Sequence, residues 1–376
     1  MLNTTHKLFF KDARNMEHVE DQSIDLVITS PPYPMIEMWD EQFCGMNPVI
    51  KANFDCGDYN GAFEAMHQIL DGVWSELWRV MKEGAFACIN IGDATRTINN
   101  KFELFANHAR IQRKFQELGF DTLPLLLWRK QTNAPNKFMG SGMLPAGAYV
   151  TLEHEYILIF RKGNKRQFKT AESKLRRMKS SFFWEERNTW FSDLWDFKGV
   201  RQDTNNKELR NRSAAFPFIL PFRLINMYSL IGDQVLDPFM GTGTTLLAAI
   251  AAGRNSVGYE LDESFAPALQ ALTINSLSDL QKVNLDRINN HLTFVQSCEA
   301  GNKELKYVNS YFGFPVMTAQ EKELEIVFVR QLERDGDRLY RASYFEDHFV
   351  KSISPDDLSL DHFAPEGFQQ GRLSFD

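Results

Sequence analysis

The stretch that decides the fold runs from Ser23 to Tyr33 and reads Ser-Ile-Asp-Leu-Val-Ile-Thr-Ser-Pro-Pro-Tyr. Its first half is apolar and β-branched, which predicts a buried strand. Neither proline can donate to a sheet ladder, and Pro31 biases Ser30 towards an extended conformation, so a stiff loop follows the strand. In open α/β sheets, ligands bind outside the carboxyl ends of the strands. We therefore expect a site made by Ser30, Pro31, Pro32 and Tyr33.

The chemistry of this loop suits a planar heterocycle that carries an exocyclic amine. The loop offers carbonyl oxygens held by proline rings and a short hydroxyl, which accept hydrogen bonds from N–H groups, and an aromatic face for stacking. The alternative is that the four residues only end the strand and carry no chemistry.

Composition narrows the class of protein. The chain has 376 residues, of which 43% are hydrophobic and 24% are charged, as in a globular protein of two or three modules. No apolar run reaches the length of a membrane span, and the first ten residues lack a signal-peptide pattern. The four cysteines have no metal-ligand spacing, which predicts a cytoplasmic protein without a metal. The net charge of −7 disfavours nucleic-acid binding unless positive charge is concentrated locally.

The order of predicted elements favours an α/β fold with a doubly wound, mostly parallel sheet. Further strands are predicted at Lys7–Phe10, Phe86–Ile91, Leu123–Trp128 and Tyr156–Phe160. Helices are predicted from Phe63 to Met81, with Gly84 as the residue after the cap, and from Phe102 to Leu118. The segments Pro34–Asn60 and Gln131–Gly147 are expected to be loops.

A second motif predicts a nucleoside site. A strand ending at Asp237 leads into the loop Pro-Phe-Met-Gly-Thr-Gly-Thr-Thr, a helix from Leu246 to Ala252, and a strand that ends in Glu260. Glycines allow a ligand to approach the backbone, and a terminal carboxylate can accept both ribose hydroxyls. The dinucleotide fingerprint is incomplete, and Asp237 would repel a pyrophosphate but attract an ammonium or sulfonium group. S-adenosylmethionine fits better than NAD.

Positive charge is concentrated between Arg161 and Arg212. This segment holds 15 lysines and arginines against 7 acids, a net charge of +8, with three tryptophans interleaved. Basic groups bind phosphates and aromatic rings stack on bases, so the segment is expected to bind DNA, with Arg176, Arg177 and Lys179 as phosphate contacts. The alternative is a solvated insertion with its own small core.

Together, Thr29-Ser-Pro-Pro-Tyr33 and Asp237-Pro-Phe-Met-Gly-Thr-Gly-Thr-Thr245 resemble the motifs of the S-adenosylmethionine-dependent DNA amino-methyltransferases. The catalytic motif precedes the cofactor motif, as in the circularly permuted β group, and the likeness covers about residues 5 to 275. A Ser at the head of the tetrad resembles the cytosine-N4 enzymes more than the adenine-N6 enzymes. The resemblance implies catalytic roles for Ser30, Pro31, Pro32 and Tyr33. It implies cofactor contacts for Asp12, Phe216, Pro217, Asp237, Phe239, Gly241, Thr242, Gly243, Thr244, Thr245 and Glu260.

The function expected from these motifs is methyl transfer to N4 of a cytosine flipped out of duplex DNA, within a restriction–modification system. Adenine N6 or structured RNA as target, and a non-catalytic DNA-binding regulator, are the alternatives. Methylation of a cytosine carbon needs a thiolate, and none of the cysteines follows a proline as in the Pro-Cys motif of those enzymes.

The expected organisation has four parts. Residues 1–160 form the catalytic half, 161–212 the basic recognition segment, 213–300 the cofactor half and 301–376 an accessory or dimerisation region. The last part carries 9 basic and 14 acidic residues and a predicted hairpin around Asp335-Gly336. A homodimer and a cognate restriction endonuclease that forms no stable complex with this chain are the expected partners besides DNA.

Overall fold

A computed structural model describes residues 2–98, 101–130, 139–199, 216–267, 269–270, 276–336, 338–346, 351, 354 and 357–363. The described strands are β1 (Asn3–Phe10), β2 (Ile24–Thr29), β3 (Met81–Ile91), β4 (Ala94–Ile98), β5 (Lys101–Phe105), β6 (Phe120–Arg129), β7 (Met139–Gly140), β8 (Ala148–Tyr149), β9 (His154–Lys162), β10 (Leu194–Asp196), β11 (Gln234–Asp237), β12 (Asn255–Glu260), β13 (Tyr307–Val308), β14 (Pro315–Val316), β15 (Val329–Arg334) and β16 (Leu339–Tyr344). The described α-helices are α1 (Asp40–Met46), α2 (Pro48–Cys56), α3 (Tyr59–Val80), α4 (Asn107–Glu117), α5 (Ala171–Lys179), α6 (Trp184–Trp190), α7 (Ile219–Tyr228), α8 (Thr244–Ala251) and α9 (Leu277–Ala300).

A central sheet organises the molecule and confirms the predicted α/β class. Within the described residues it has ten strands in the order β10-β6-β9-β3-β2-β11-β12-β1-β16-β15. Most strands are parallel, and β9 and β16 run in the opposite direction. Helix α3 covers one face with Met66, Leu70 and Trp74, whereas α7 and α8 cover the other face.

The chain reverses its direction of travel across the sheet between β2 and β11. From β2 it moves outward through α3 to β3, and from β11 it moves the other way through α8 to β12. Since β2 and β11 are parallel neighbours, a crevice opens at their carboxyl ends. Crevices at such switch points are where doubly wound sheets bind ligands.

The segment Pro34–Asn60, expected to be a loop, contains α1 and α2, so that prediction was wrong. Asn47 caps α2 by accepting from the backbone N–H of Val49, Pro48 occupies the first turn, and Gly57 closes the helix in a left-handed conformation. The Asn, Pro and Gly residues that indicated a loop are helix-terminal residues here.

Two other predicted boundaries were wrong. Gly84 lies within β3 rather than after α3; its φ of +80° belongs to an irregular stretch where an added Cβ would lie 2.6 Å from the backbone nitrogen of Arg166. Phe102 lies in β5, and α4 begins only at Asn107, because residues 94–105 form a β4–β5 hairpin. Aromatic residues favour strands, and pairing with β4 prevails over the helical spacing.

The predicted hairpin around Asp335-Gly336 is present as β15 and β16. It joins the central sheet, because β16 pairs with β1 along Asn3–Lys7. Residues 329–344 therefore extend the same sheet that carries the site.

Candidate active site at the switch point

A cavity of about 440 Å³ lies at the carboxyl ends of β1, β2, β11 and β12. Residues predicted from both motifs line it: Asp12, Ser30, Pro31, Pro32, Phe216, Asp237, Phe239, Gly241, Thr242, Thr244 and Glu260. The structure thus brings together two motifs about two hundred residues apart. Apolar side chains that the sequence did not indicate complete the wall: Met38, Trp39 and Phe43 beside α1, and Ile69, Leu70 and Val73 of α3.

Asp237 joins the two motifs directly. Its Oδ1 accepts from the Thr29 hydroxyl at 2.6 Å, and its Oδ2 accepts from the Thr245 hydroxyl at 2.6 Å. Burial raises the pKa of Asp237 to about 6, although these hydrogen bonds act in the other direction. A cationic group in the cavity would favour the ionised carboxylate.

Glu260 closes the cavity at the end of β12. Its Oε2 accepts from the backbone N–H of Gly241 at 2.9 Å, and its Oε1 accepts from that of Asp262 at 2.9 Å. Burial raises the pKa of this carboxyl above its usual value. Each oxygen keeps lone pairs that a diol can use as acceptors.

The two loop glycines differ in their surroundings. Both have positive φ, +52° at Gly241 and +85° at Gly243. A Cβ on Gly241 would meet no atom within 4 Å, whereas one on Gly243 would lie 2.4 Å from Cδ2 of Leu269. Gly243 therefore serves packing beneath the loop, and Gly241 faces the cavity. Pro217 and Thr245 are buried behind this lining.

The tetrad is held by groups from neighbouring strands. The Ser30 hydroxyl donates to the Tyr33 hydroxyl at 3.0 Å, which donates to Oε2 of Glu155 at 3.0 Å. Asn90 donates to both Tyr33, at 2.9 Å, and Glu155, at 2.6 Å. Lys130 pairs with the other oxygen of Glu155. Tyr33 is 8% exposed, and stacking of a base on its ring stays a prediction.

Asn90, Lys130 and Glu155 were missed by sequence reasoning. Each stands at the end or start of a strand on the carboxyl edge, but only the order β6-β9-β3-β2 brings them together. His154 was expected to be structural, and its ring packs edge-on against Tyr156, with centroids 4.9 Å apart.

The three predicted phosphate contacts lie elsewhere. Arg176 pairs with buried Asp233 at 2.6 Å and Lys179 with Glu325 at 2.8 Å, while the guanidinium of Arg177 covers the ring of Phe168. Asp233 precedes β11, so it is roughly 13 Å along the strand from Asp237. The structure does not bring these cations to the site, and their assignment to DNA contacts near the target base is corrected.

The described part of the basic segment is largely packed against the protein. Trp190 and Trp195 are buried, and Glu186 of α6 pairs with Arg287 of α9 at 2.6 Å. Strand β10 then returns to the carboxyl edge, parallel to β6. The rest of the segment, from residue 200, lies outside the described residues.

No described helix is long and apolar enough to cross a membrane. In the same part of the chain, no group of three acidic, histidine or cysteine side chains is arranged to hold a metal ion.

Known proteins resemble this chain over most of its length. The type II methyltransferase M.MthZI of Methanothermobacter thermautotrophicus is 48% identical over 92% of this chain and 96% of its own length. M.MjaI of Methanocaldococcus jannaschii is 49% identical over 72% of this chain and 91% of its own. The DNA modification methylase TTHA0409 of Thermus thermophilus, solved with S-adenosyl-L-methionine, is 32% identical, covers 71% of this chain and 92% of its own, and superposes with a TM-score of 0.54.

The family model described as DNA methylase, which groups N6 and N4 amino-methyltransferases, matches residues 24–271. That range contains the tetrad, the cofactor loop and every sheet strand from β2 to β12. This chain therefore belongs to the N6/N4 DNA methylase family.

Proposed function

We propose that this protein transfers a methyl group from S-adenosylmethionine to the exocyclic N4 of a cytosine flipped out of duplex DNA. The observation that carries the proposal is the position of Ser30. Its hydroxyl lines the cavity beside Asp237, and its proton is directed to Tyr33. A serine at the head of the tetrad favours cytosine, as the resemblance implies.

The cavity fits the cofactor. Glu260 offers acceptors for the ribose hydroxyls, and the backbone at Gly241 is open to close approach. Asp237 is a buried carboxylate whose charge is costly without a cation nearby. The methionyl part of S-adenosylmethionine carries such a cation, and TTHA0409 binds this cofactor. Bound S-adenosylmethionine supplies an electrophilic methyl group on a sulfonium.

The protein's own residues then position the amine. Ser30 and the Pro31 carbonyl accept hydrogen bonds from the exocyclic N–H groups, which directs the nitrogen lone pair at the methyl carbon. Transfer is an in-line displacement, so orientation contributes most of the rate. Extraction of the base from the stack costs about a few kcal/mol.

The DNA-facing surface is assigned to the carboxyl edge. The β4–β5 and β7–β8 hairpins project from it and contact each other through Phe102 and Tyr149, stacked with centroids 4.3 Å apart. Met143 and Val150 are 86% and 87% exposed. Apolar side chains can enter a base stack, and Lys101 provides a cation on the same surface.

The test is transfer of labelled methyl to unmethylated DNA, followed by mass spectrometry of the nucleosides. The expected product is N4-methylcytosine. Ser30→Ala should lose most transfer while cofactor affinity is retained, because Ser30 acts on the base. Detection of N6-methyladenine instead would establish the alternative target within the same family. DNA binding without transfer under any condition would favour the regulator.

The homodimer, the cognate endonuclease, the cytoplasmic location and the division at residues 160, 212 and 300 stay predictions. A restriction–modification role agrees with the type II methyltransferases among the relatives. Survival of DNA that carries the modification, when challenged with an endonuclease of the same specificity, tests that role.

A further inference from the structure

A chain of hydrogen bonds runs along the carboxyl edge and ends at Ser30. It begins at Lys130 after β6, continues to Glu155 in β9, and reaches Tyr33 after β2. Asn90, in β3 between them, donates to both Glu155 and Tyr33. Four neighbouring strands therefore contribute one group each, at high burial except for Lys130 and Ser30.

The proton on each member can be assigned from its partners. The Asn90 amide nitrogen must face Glu155, because the flipped amide would place its oxygen 2.6 Å from a carboxylate oxygen. Asn90 therefore donates to the Tyr33 oxygen. The single Tyr33 proton goes to Glu155, since a carboxylate is a stronger acceptor than a neutral serine hydroxyl.

The direction at Ser30 follows. With its own proton committed to Glu155, the Tyr33 oxygen offers only lone pairs, and Ser30 donates to it at 3.0 Å. The lone pairs of Ser30 are then left for the cavity that it lines. An exocyclic amine needs an acceptor at that place, and a freely rotating hydroxyl would present its proton to the amine part of the time.

We propose that Glu155, held by Lys130 and Asn90, is a positioning residue that fixes the Ser30 hydroxyl as a hydrogen-bond acceptor for the amine of the target base. The inference rests on the proposed function, and it holds whether that amine belongs to cytosine or adenine. Glu155 acts through Tyr33 and does not touch the base.

A double-mutant cycle tests this pathway. Glu155→Gln removes the charged acceptor and should lower kcat roughly tenfold to hundredfold, with the KM for S-adenosylmethionine unchanged. In a Tyr33→Phe background the same substitution should lower kcat by less than about twofold, because the link to Ser30 is already broken. Additive effects in the two backgrounds would show that Glu155 supports the fold generally, and would overturn the proposal.

Two further variants keep the test decisive. Glu153→Gln is the matched control, since Glu153 pairs at 3.8 Å with Arg129 on the surface and should leave kcat unchanged. Lys130→Met replaces Glu155→Gln in the cycle if the latter fails to fold, because the Lys130 side chain is 40% exposed and its loss is easier to accommodate. Wild-type protein that transfers methyl while the cycle is additive refutes only the positioning role. Wild-type protein without transfer refutes the proposed function and this inference with it.

Discussion

Asp237→Asn should make the protein more stable at neutral pH and weaken its binding of the cofactor. Burial raises the pKa of Asp237 from 3.8 to about 6. Each unit corresponds to about 1.4 kcal/mol, so ionisation of the folded protein costs roughly 3 kcal/mol more than ionisation of the unfolded chain. An asparagine can keep the hydrogen bonds, because both threonine hydroxyls can also accept.

The sign of the pH dependence follows from linkage. A carboxyl whose folded-state pKa is raised binds protons more tightly when folded, so its stabilising contribution is complete below about pH 4 and is lost as the pH rises through about 6. The wild-type protein should therefore lose roughly 3 kcal/mol from this group across that window, and Asp237→Asn should not.

Urea unfolding of both proteins at about pH 5 and about pH 8, followed by tryptophan fluorescence, measures the difference. The advantage of the variant should grow by up to roughly 3 kcal/mol at the higher pH. Asp121→Asn, a surface aspartate paired with Arg161, serves as the control and should show no such growth. Calorimetry should show weaker S-adenosylmethionine binding by Asp237→Asn, because the counter-charge for the cofactor's cation is gone. Parallel pH profiles together with unchanged cofactor affinity would refute the reasoning.

The paired glycines provide another prediction: Gly241→Ala should lower S-adenosylmethionine affinity about tenfold or more, whereas Gly243→Ala should mainly lower the unfolding temperature, since its Cβ would lie 2.4 Å from Leu269. Both positions have positive φ, so backbone strain is matched, and equal effects on affinity and melting in the two variants would contradict the assignment. For DNA binding, Lys101→Ala should weaken affinity and flatten the salt dependence, whereas Arg176→Ala should leave both unchanged and cost on the order of 1 kcal/mol of stability. A flattened salt slope in Arg176→Ala alone would return the DNA contact to α5.

Two loops were recognisable from the sequence because their chemistry is local. Prolines after an apolar strand, and glycines between Asp237 and the following helix, restrict the backbone wherever the chain is placed. Strand alternation then predicts that both loops lie at carboxyl ends of a parallel sheet, and the structure agrees. Residue types that cap helices and residue types that form loops overlap, which is why Pro34–Asn60 was misread.

The partners of the tetrad depended on strand order, which no local pattern contains. Lys130, Glu155 and Asn90 are separated from Tyr33 by 57 to 122 residues in sequence, and they meet because β6, β9, β3 and β2 are neighbours. The positive charge between Arg161 and Arg212 was visible in the sequence, but its direction was not. Arg166 and Arg176 turn to Asp233 because a buried carboxylate binds a cation more strongly than solvent does. The sequence by itself determined which loops carry the chemistry, and the tertiary structure decided which side chains orient it.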